Sequence, residues 1–134
     1  MMRLARTPLL GCVVLVGAML LSRDVAHAQG AKADPAVQKL FEKIMDAIQK
    51  KDRDAFVAEA SEEVKKGTTQ EVMDAFEKAL GARLKKGFER TYLCQLKQAG
   101  HDVHLWKVTF KDGGDDLLVR IALKDGKIGG FFLQ

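Results

Sequence analysis

Cysteine is nearly absent: the 134-residue chain holds two, Cys12 and Cys94. With residues 1–28 removed as a leader, Cys94 stands alone, which excludes an intrachain disulfide. The thiol must then be buried, reactive or paired with another chain. A membrane-spanning run is missing too, because the longest apolar stretch, Leu9 to Leu21, covers about 13 residues of the ~20 required. Charge imbalance is slight, with 22 basic residues against 18 acidic ones and a formal net charge of +4. Arg3, Arg6, Arg23 and Asp24 belong to the leader, and without them the surplus falls to two positive charges. Nucleic acid and anionic membrane both call for clustered charge, so neither is expected as a partner, nor is a stable membrane anchor. The pairs Lys50-Lys51, Lys65-Lys66 and Lys85-Lys86 fall near expected helix C-termini, where each complements the helix dipole by about 0.3–1 kcal/mol. No repeat or low-complexity tract is visible.

The N-terminus carries the most specific signal in the chain. Arg3 and Arg6 precede the apolar run, and Ala26-His27-Ala28 is a small-x-small cleavage site. Residues 1–28 are therefore expected to be a cleaved signal peptide, and the protein to be exported, periplasmic or extracellular. Leu9-Leu10-Gly11-Cys12 resembles a lipoprotein box, but Val13 to Leu21 follow the cysteine instead of preceding it. Cleavage after Ala28 without lipid is the expectation. Export also removes most nucleotide-dependent chemistry.

Residues 29–34 read as a flexible lead-in to an α+β domain over 35–134. Asp34-Pro35 supplies an N-cap and a first-turn proline. Val37, Leu40, Phe41, Ile44, Ala47 and Ile48 then recur at helical spacing. A second helix is predicted from Asp52 to Gly67, with Phe56, Val57, Ala60 and Val64 inward. Thr68 and Glu71 make a capping box for a third, which carries Val72, Phe76, Leu80 and Leu84 to Gly87. From Phe88 the period drops to two, and strands begin.

Turns at Ala99-Gly100, Asp112-Gly113-Gly114-Asp115 and Asp125-Gly126 divide the remainder into a four-stranded meander. A two-residue turn at 125–126 pairs Leu123 with Ile128, Ile121 with Gly130 and Val119 with Phe132. A four-residue turn at 112–115 pairs Phe110 with Leu117, Val108 with Val119 and Trp106 with Ile121. Both put Trp106, Val108, Phe110, Leu117, Val119, Ile121, Leu123, Ile128 and Phe132 on one apolar face. Tyr92 and Cys94 join that face only through an odd loop or a bulge, since one residue of slip exchanges the faces. The expected architecture is three N-terminal helices packed on a curved four-stranded antiparallel sheet.

The segment Asp52-Arg-Asp-Ala-Phe-Val and the ending Leu117-Leu-Val-Arg-Ile-Ala-Leu-Lys-Asp-Gly-Lys-Ile-Gly-Gly-Phe-Phe132 resemble small exported bacterial domains of the nuclear transport factor two-like superfamily. That cone-shaped, cystatin-like α+β fold also houses ketosteroid isomerase and polyketide cyclases. The resemblance covers most of residues 34–134 and marks structure more than catalysis. It implies an inner cone and an outer sheet face that is frequently the dimer contact. Larger members carry a strand or hairpin between the second and third helices. Here only Lys65-Lys66-Gly67 intervenes, so a shallower or filled pocket is expected.

Isomerases of the superfamily place a carboxylate in the cone as general base. No Asp or Glu occupies the middle of an inward strand face here, and no catalytic residue is assigned. His104, on the face of Trp106, lies near Tyr92 and Cys94 in the proposed register. These four are the residues of a cone pocket for a small apolar ligand, a carrier or enzyme reading without a third group to orient a Cys–His pair. His101 and His104 point to opposite faces of a strand and cannot share a metal. Asp112-Gly-Gly-Asp-Asp lacks the remaining ligands of a calcium loop, so neither metal nor cofactor is implied. On the other face Val103, Leu105, Leu118, Arg120, Phe131 and Leu133 are expected to project outward, with Arg120 opposite Phe131. Apolar residues on an uncovered sheet mark a partner surface. The expected function is thus a non-enzymatic binding or self-association module that forms a homodimer through its outer sheet face.

Overall fold

Helix α1, Pro35–Lys50, begins where the sequence places it. The Asp34 carboxylate accepts the Ala36 N–H at 2.8 Å, and Pro35 occupies the first turn. The helix ends at Lys51, which takes a left-handed conformation with φ 56°. Leu40, Phe41, Ile44, Met45, Ala47 and Ile48 form its buried stripe. The computed structural model describes residues 31–134, so the expected signal peptide, with Cys12, lies outside the described residues.

The second predicted helix is interrupted. It appears as α2, Arg53–Val57, and α3, Glu62–Gly67. Between them Ala60 forms a parallel bridge with Ile128: Ile128 N–H donates to Glu59 O and Ser61 N–H to Ile128 O, both at 2.8 Å. Strand pairing takes the backbone groups that a continuous helix would use, and Ser61 restarts the helix by capping Val64 N–H. Arg53 then ties the pieces together, donating to Thr68 O at 2.6 Å and Lys65 O at 2.8 Å. Because Thr68 is buried against this turn, the next cap falls one residue later than the predicted box. Thr69 Oγ1 accepts from Val72 N–H. The third predicted helix runs as α4, Gln70–Phe76, a π-helical turn at Glu77–Gly81 and α5, Ala82–Lys86. No helix among the described residues is long and apolar enough to cross a membrane.

Strands β1 (Phe88–Gln98), β2 (His101–Phe110), β3 (Leu117–Lys124) and β4 (Lys127–Leu133) form one open antiparallel sheet in that order. Ala99-Gly100 and Asp125-Gly126 have positive φ at both positions, matching the twist a two-residue hairpin needs. The register departs from the sequence reading in β2–β3 and in β4, and β1 carries the kind of bulge that reading required. β2 and β3 pair two residues further from their turn, Trp106 opposite Val119 and Val108 opposite Leu117, which preserves the faces. A bulge between Tyr92 and Cys94 inserts Leu93. Another in β4 leaves Gly129 extra, so Ile121 lies opposite Phe131 and Arg120 opposite Phe132. Each bulge exchanges faces beyond it.

The long β2–β3 loop is pinned by Arg83. Its guanidinium donates to both Asp112 oxygens, at 2.7 and 3.2 Å, and to Asp115 O at 2.8 Å, while lying 3.8 Å from the Phe110 ring centre. This clamp spreads the loop beyond a four-residue turn. The same hydrogen bond from Arg83, helped by Gly114 N–H, holds the Asp112 carboxyl down at about 2. A carboxylate with a depressed folded value stabilises the fold fully above its ordinary range and loses that contribution as pH falls toward 2. Thermal denaturation should therefore show a melting temperature that declines between about pH 4 and pH 2. Asp112→Asn should flatten that decline; an unchanged slope would show that other carboxylates carry it.

One buried cluster joins α1, the shorter helices and the inner sheet face, with Phe41, Ile44, Ile48, Met73, Val108, Val119, Ile121 and Ile128 among its fully enclosed side chains.

Candidate functional site

The inner sheet face brings three of the four proposed pocket residues together. Tyr92 Oη lies 2.9 Å from His104 Nδ1, and the Tyr92 ring meets Trp106 edge-on at 4.9 Å. Trp106 in turn stacks on Phe41 at 4.5 Å. Burial pushes the His104 imidazole below its ordinary range, although Asp102 and Asp34 pull the other way. Burial, with a contribution from Cys94, pushes the Tyr92 phenol up. A neutral imidazole bonded to a protonated phenol follows, an arrangement that satisfies both polar groups inside an apolar layer. Trp106 is 2 % exposed, and its indole N–H is buried without a hydrogen-bond partner. Side chains occupy the region that a ligand would need.

Cys94 is the correction in this group. The Leu93 bulge falls between the two residues, so it brings Tyr92 inward opposite Trp106 but leaves Cys94 half-buried on the outer face, opposite Leu105. A Cys–His pair cannot form across the sheet. His101 and His104 likewise stand three residues apart on an unbulged strand and face opposite ways.

The outer face is the second candidate. Leu105 and Leu118 lie on it, with Cys94 and Leu96 from β1, Val103 from β2 and Ala122 from β3. Leu105 and Leu118 are half-buried and outside the helix-covered core. Val103 is buried on this uncovered side, at the base of a cleft of about 240 Å³ that Ala122, Arg120 and Phe132 help to line. Phe132 is 51 % exposed, Leu93 43 % and Leu96 42 %. Phe131 and Leu133, expected here, instead pack against the core under the helices. The Gly129 bulge substitutes Phe132 for them, and Gly130 leaves room for its ring, since a Cβ there would sit 2.8 Å from Phe132 Cε2. Arg120 keeps its aromatic partner, but that partner is Phe132, at 5.4 Å from the ring centre. Arg120 also donates to Gln98 at 3.2 Å.

No protein-family model matches this chain, and no curated protein is significantly similar to it. Function therefore rests on what the two faces can do. The inner face offers a polar pair without space. The outer face offers apolar side chains that no helix among the described residues covers.

Proposed function

We propose that this protein is an exported, non-enzymatic module of the nuclear transport factor two-like type that self-associates through the uncovered face of its sheet. The observation that carries this reading is the exposure of Phe132, Leu96 and Leu93 on or beside one sheet face that no helix among the described residues covers. A solvated antiparallel face ordinarily presents polar residues. The order of helices before a four-stranded antiparallel meander supports the superfamily assignment.

Magnitudes set the expected strength. Four strands about 4.8 Å apart and eight residues long at about 3.3 Å each give a footprint on the order of 500 Å². Standard interfaces use about 800 Å² per partner. Burial at about 25 cal/mol per Å² is further offset by the lost rigid-body freedom of association. A dissociable dimer is the expected state, not an obligate one.

Sedimentation velocity across micromolar concentrations tests this. Wild-type protein should shift from monomer to dimer, and Phe132→Lys should remain monomeric with an unchanged circular dichroism spectrum. A wild-type chain that stays monomeric throughout overturns the proposal.

A further inference from the structure

Strand β4 lies at an edge of the sheet, next to β3 alone. Its last residue fixes which backbone groups face that edge. Leu118 and Gln134 exchange both backbone hydrogen bonds, at 2.7 and 2.9 Å. Antiparallel pairs alternate between exchanging both bonds and exchanging none. Arg120–Phe132 is then the next bonded pair, and Val119–Leu133 and Ile121–Phe131 are unbonded. The N–H and C=O groups of Phe131 and Leu133 therefore point away from β3, toward the open edge. Ile128 turns its groups the same way, and there Glu59 O and Ser61 N–H take them. Ala60 is thus a single residue of an added strand, after which the chain leaves the edge to form α3. Beyond it, neither Phe131 nor Leu133 has a backbone partner on that side among the described residues.

Natural sheets block such an edge with charges, proline or bulges. β1, the opposite edge, carries Glu89, Arg90 and Lys97 and the bulge at Leu93. From Gly129 to Leu133, β4 has neither a charge nor a proline, and its bulge comes before the free groups. A cleft of about 270 Å³ follows this edge. It touches both Phe131 and Phe132, whose side chains lie on opposite faces, and a single cleft can reach both only along the edge itself. Phe56, Val64, Val72 and Phe76 form its helical wall, and no charged residue lines it. The cleft is smaller than the ~300–1,000 Å³ that encloses a drug-sized ligand, and it suits a side chain better than a whole molecule.

We propose that the β4 edge binds an extended, uncharged apolar peptide segment of another protein, which adds as a strand beside Phe131 and Leu133 and places a large side chain in this cleft. The free groups recur at two-residue spacing, and an extended backbone is the chemistry that matches them. Main-chain hydrogen bonds supply affinity for any sequence, while the cleft selects the side chain. A charged side chain would lose its hydration there without gaining a counter-charge. The proposal does not rest on self-association, which uses the face of the sheet and not its edge.

The probe is a short acetylated and amidated peptide of alternating threonine and valine around one central phenylalanine. Amide hydrogen exchange followed by NMR, at a concentration where the protein is monomeric, reads the edge directly. Without peptide, the amides of Phe131 and Leu133 should exchange fast and that of Phe132 slowly. Saturating peptide should protect Phe131 and Leu133 and leave Phe132 unchanged. Methylating alternate backbone nitrogens of the peptide should abolish binding for the set that faces β4 and spare it for the other set. Val72→Lys should weaken binding by roughly tenfold or more, because it sets a charge in the apolar cleft. Val72 is half-buried and outside the core cluster, so the melting curve and the sedimentation behaviour should not change. Slow exchange at Phe131 and Leu133 in the free monomer would show a covered edge and overturn the proposal. Equal binding by both methylated peptides, full binding by the Val72 variant, or no protection at saturating peptide would each overturn it as well. Protection that rises with protein concentration alone would make a second copy the occupant, against the proposal.

Discussion

Phe41→Ala is expected to destabilise the fold by about 3–5 kcal/mol, the range for deleting a fully buried aromatic ring. Phe41 is fully enclosed in the middle of α1 and stacks on Trp106 at an interplanar angle of 25°. Truncation would remove the transfer energy of the ring, leave a void that the flanking turns of α1 cannot collapse into, and lose the stacking itself. The last of these contributes about 0.5–1.5 kcal/mol beyond area. A chain of this size is stable by only about 5–15 kcal/mol, so the variant should melt tens of degrees lower. Trp106 is the only tryptophan, so its fluorescence reports this contact specifically. Urea titration followed by that signal is the measurement. A loss below about 1 kcal/mol would mean that α1 does not depend on this stack for docking.

Much of this core is legible in the sequence for a simple reason. Helix α1 has one strong period and an explicit start signal, Asp34-Pro35, so its buried stripe follows from spacing alone. The same holds for the alternation in β2 and β3. A two-residue register error there does no harm, because the side-chain period is also two. The failures cluster where backbone pairing is decided by something distant. The break between α2 and α3 is imposed by Ile128, about 70 residues later in the chain, and no local propensity announces it. The Thr68-to-Thr69 shift of the next cap follows from the same event, since Arg53 holds the Thr68 carbonyl.

The candidate sites divide along the same line. Val103, Leu105, Leu118 and Arg120 lie before any bulge in their strands and fall on the expected face. Cys94, Phe131 and Leu133 each follow an inserted residue and fall on the opposite one. Gly129-Gly130 could have signalled irregularity, because glycine in a strand interior often marks a bulge. It could not have identified which residue is extra.

Phe131→Lys should therefore destabilise the fold markedly more than Phe132→Lys, which should leave the fold intact. The two rings are adjacent in sequence and differ only in the face that the Gly129 bulge assigns them. Phe131 meets Phe56 edge-on at 5.3 Å and Phe76 at 5.8 Å, with Ile121 as its cross-strand partner. Phe131 is partly buried and lines a cleft with Phe56 and Phe76, so truncation there should cost less than the ~3–5 kcal/mol of a fully enclosed ring. A lysine would also bring an ammonium among three apolar side chains with no acid from those contacts to pair with. Snorkelling along the strand edge would recover part of that second cost. Phe132 is half-exposed, and its replacement removes a ring from water on the other side of the sheet. Surface substitutions of that kind usually fall within about 0.5 kcal/mol. Urea denaturation of the two single variants at a concentration where both are monomeric separates the effects from association. A larger loss at Phe132 than at Phe131 would mean that β4 pairs without its bulge, with the faces assigned by uninterrupted alternation from Ile128. The outer surface would then be Phe131 and Leu133, and the self-association argument would have to be rebuilt on those residues.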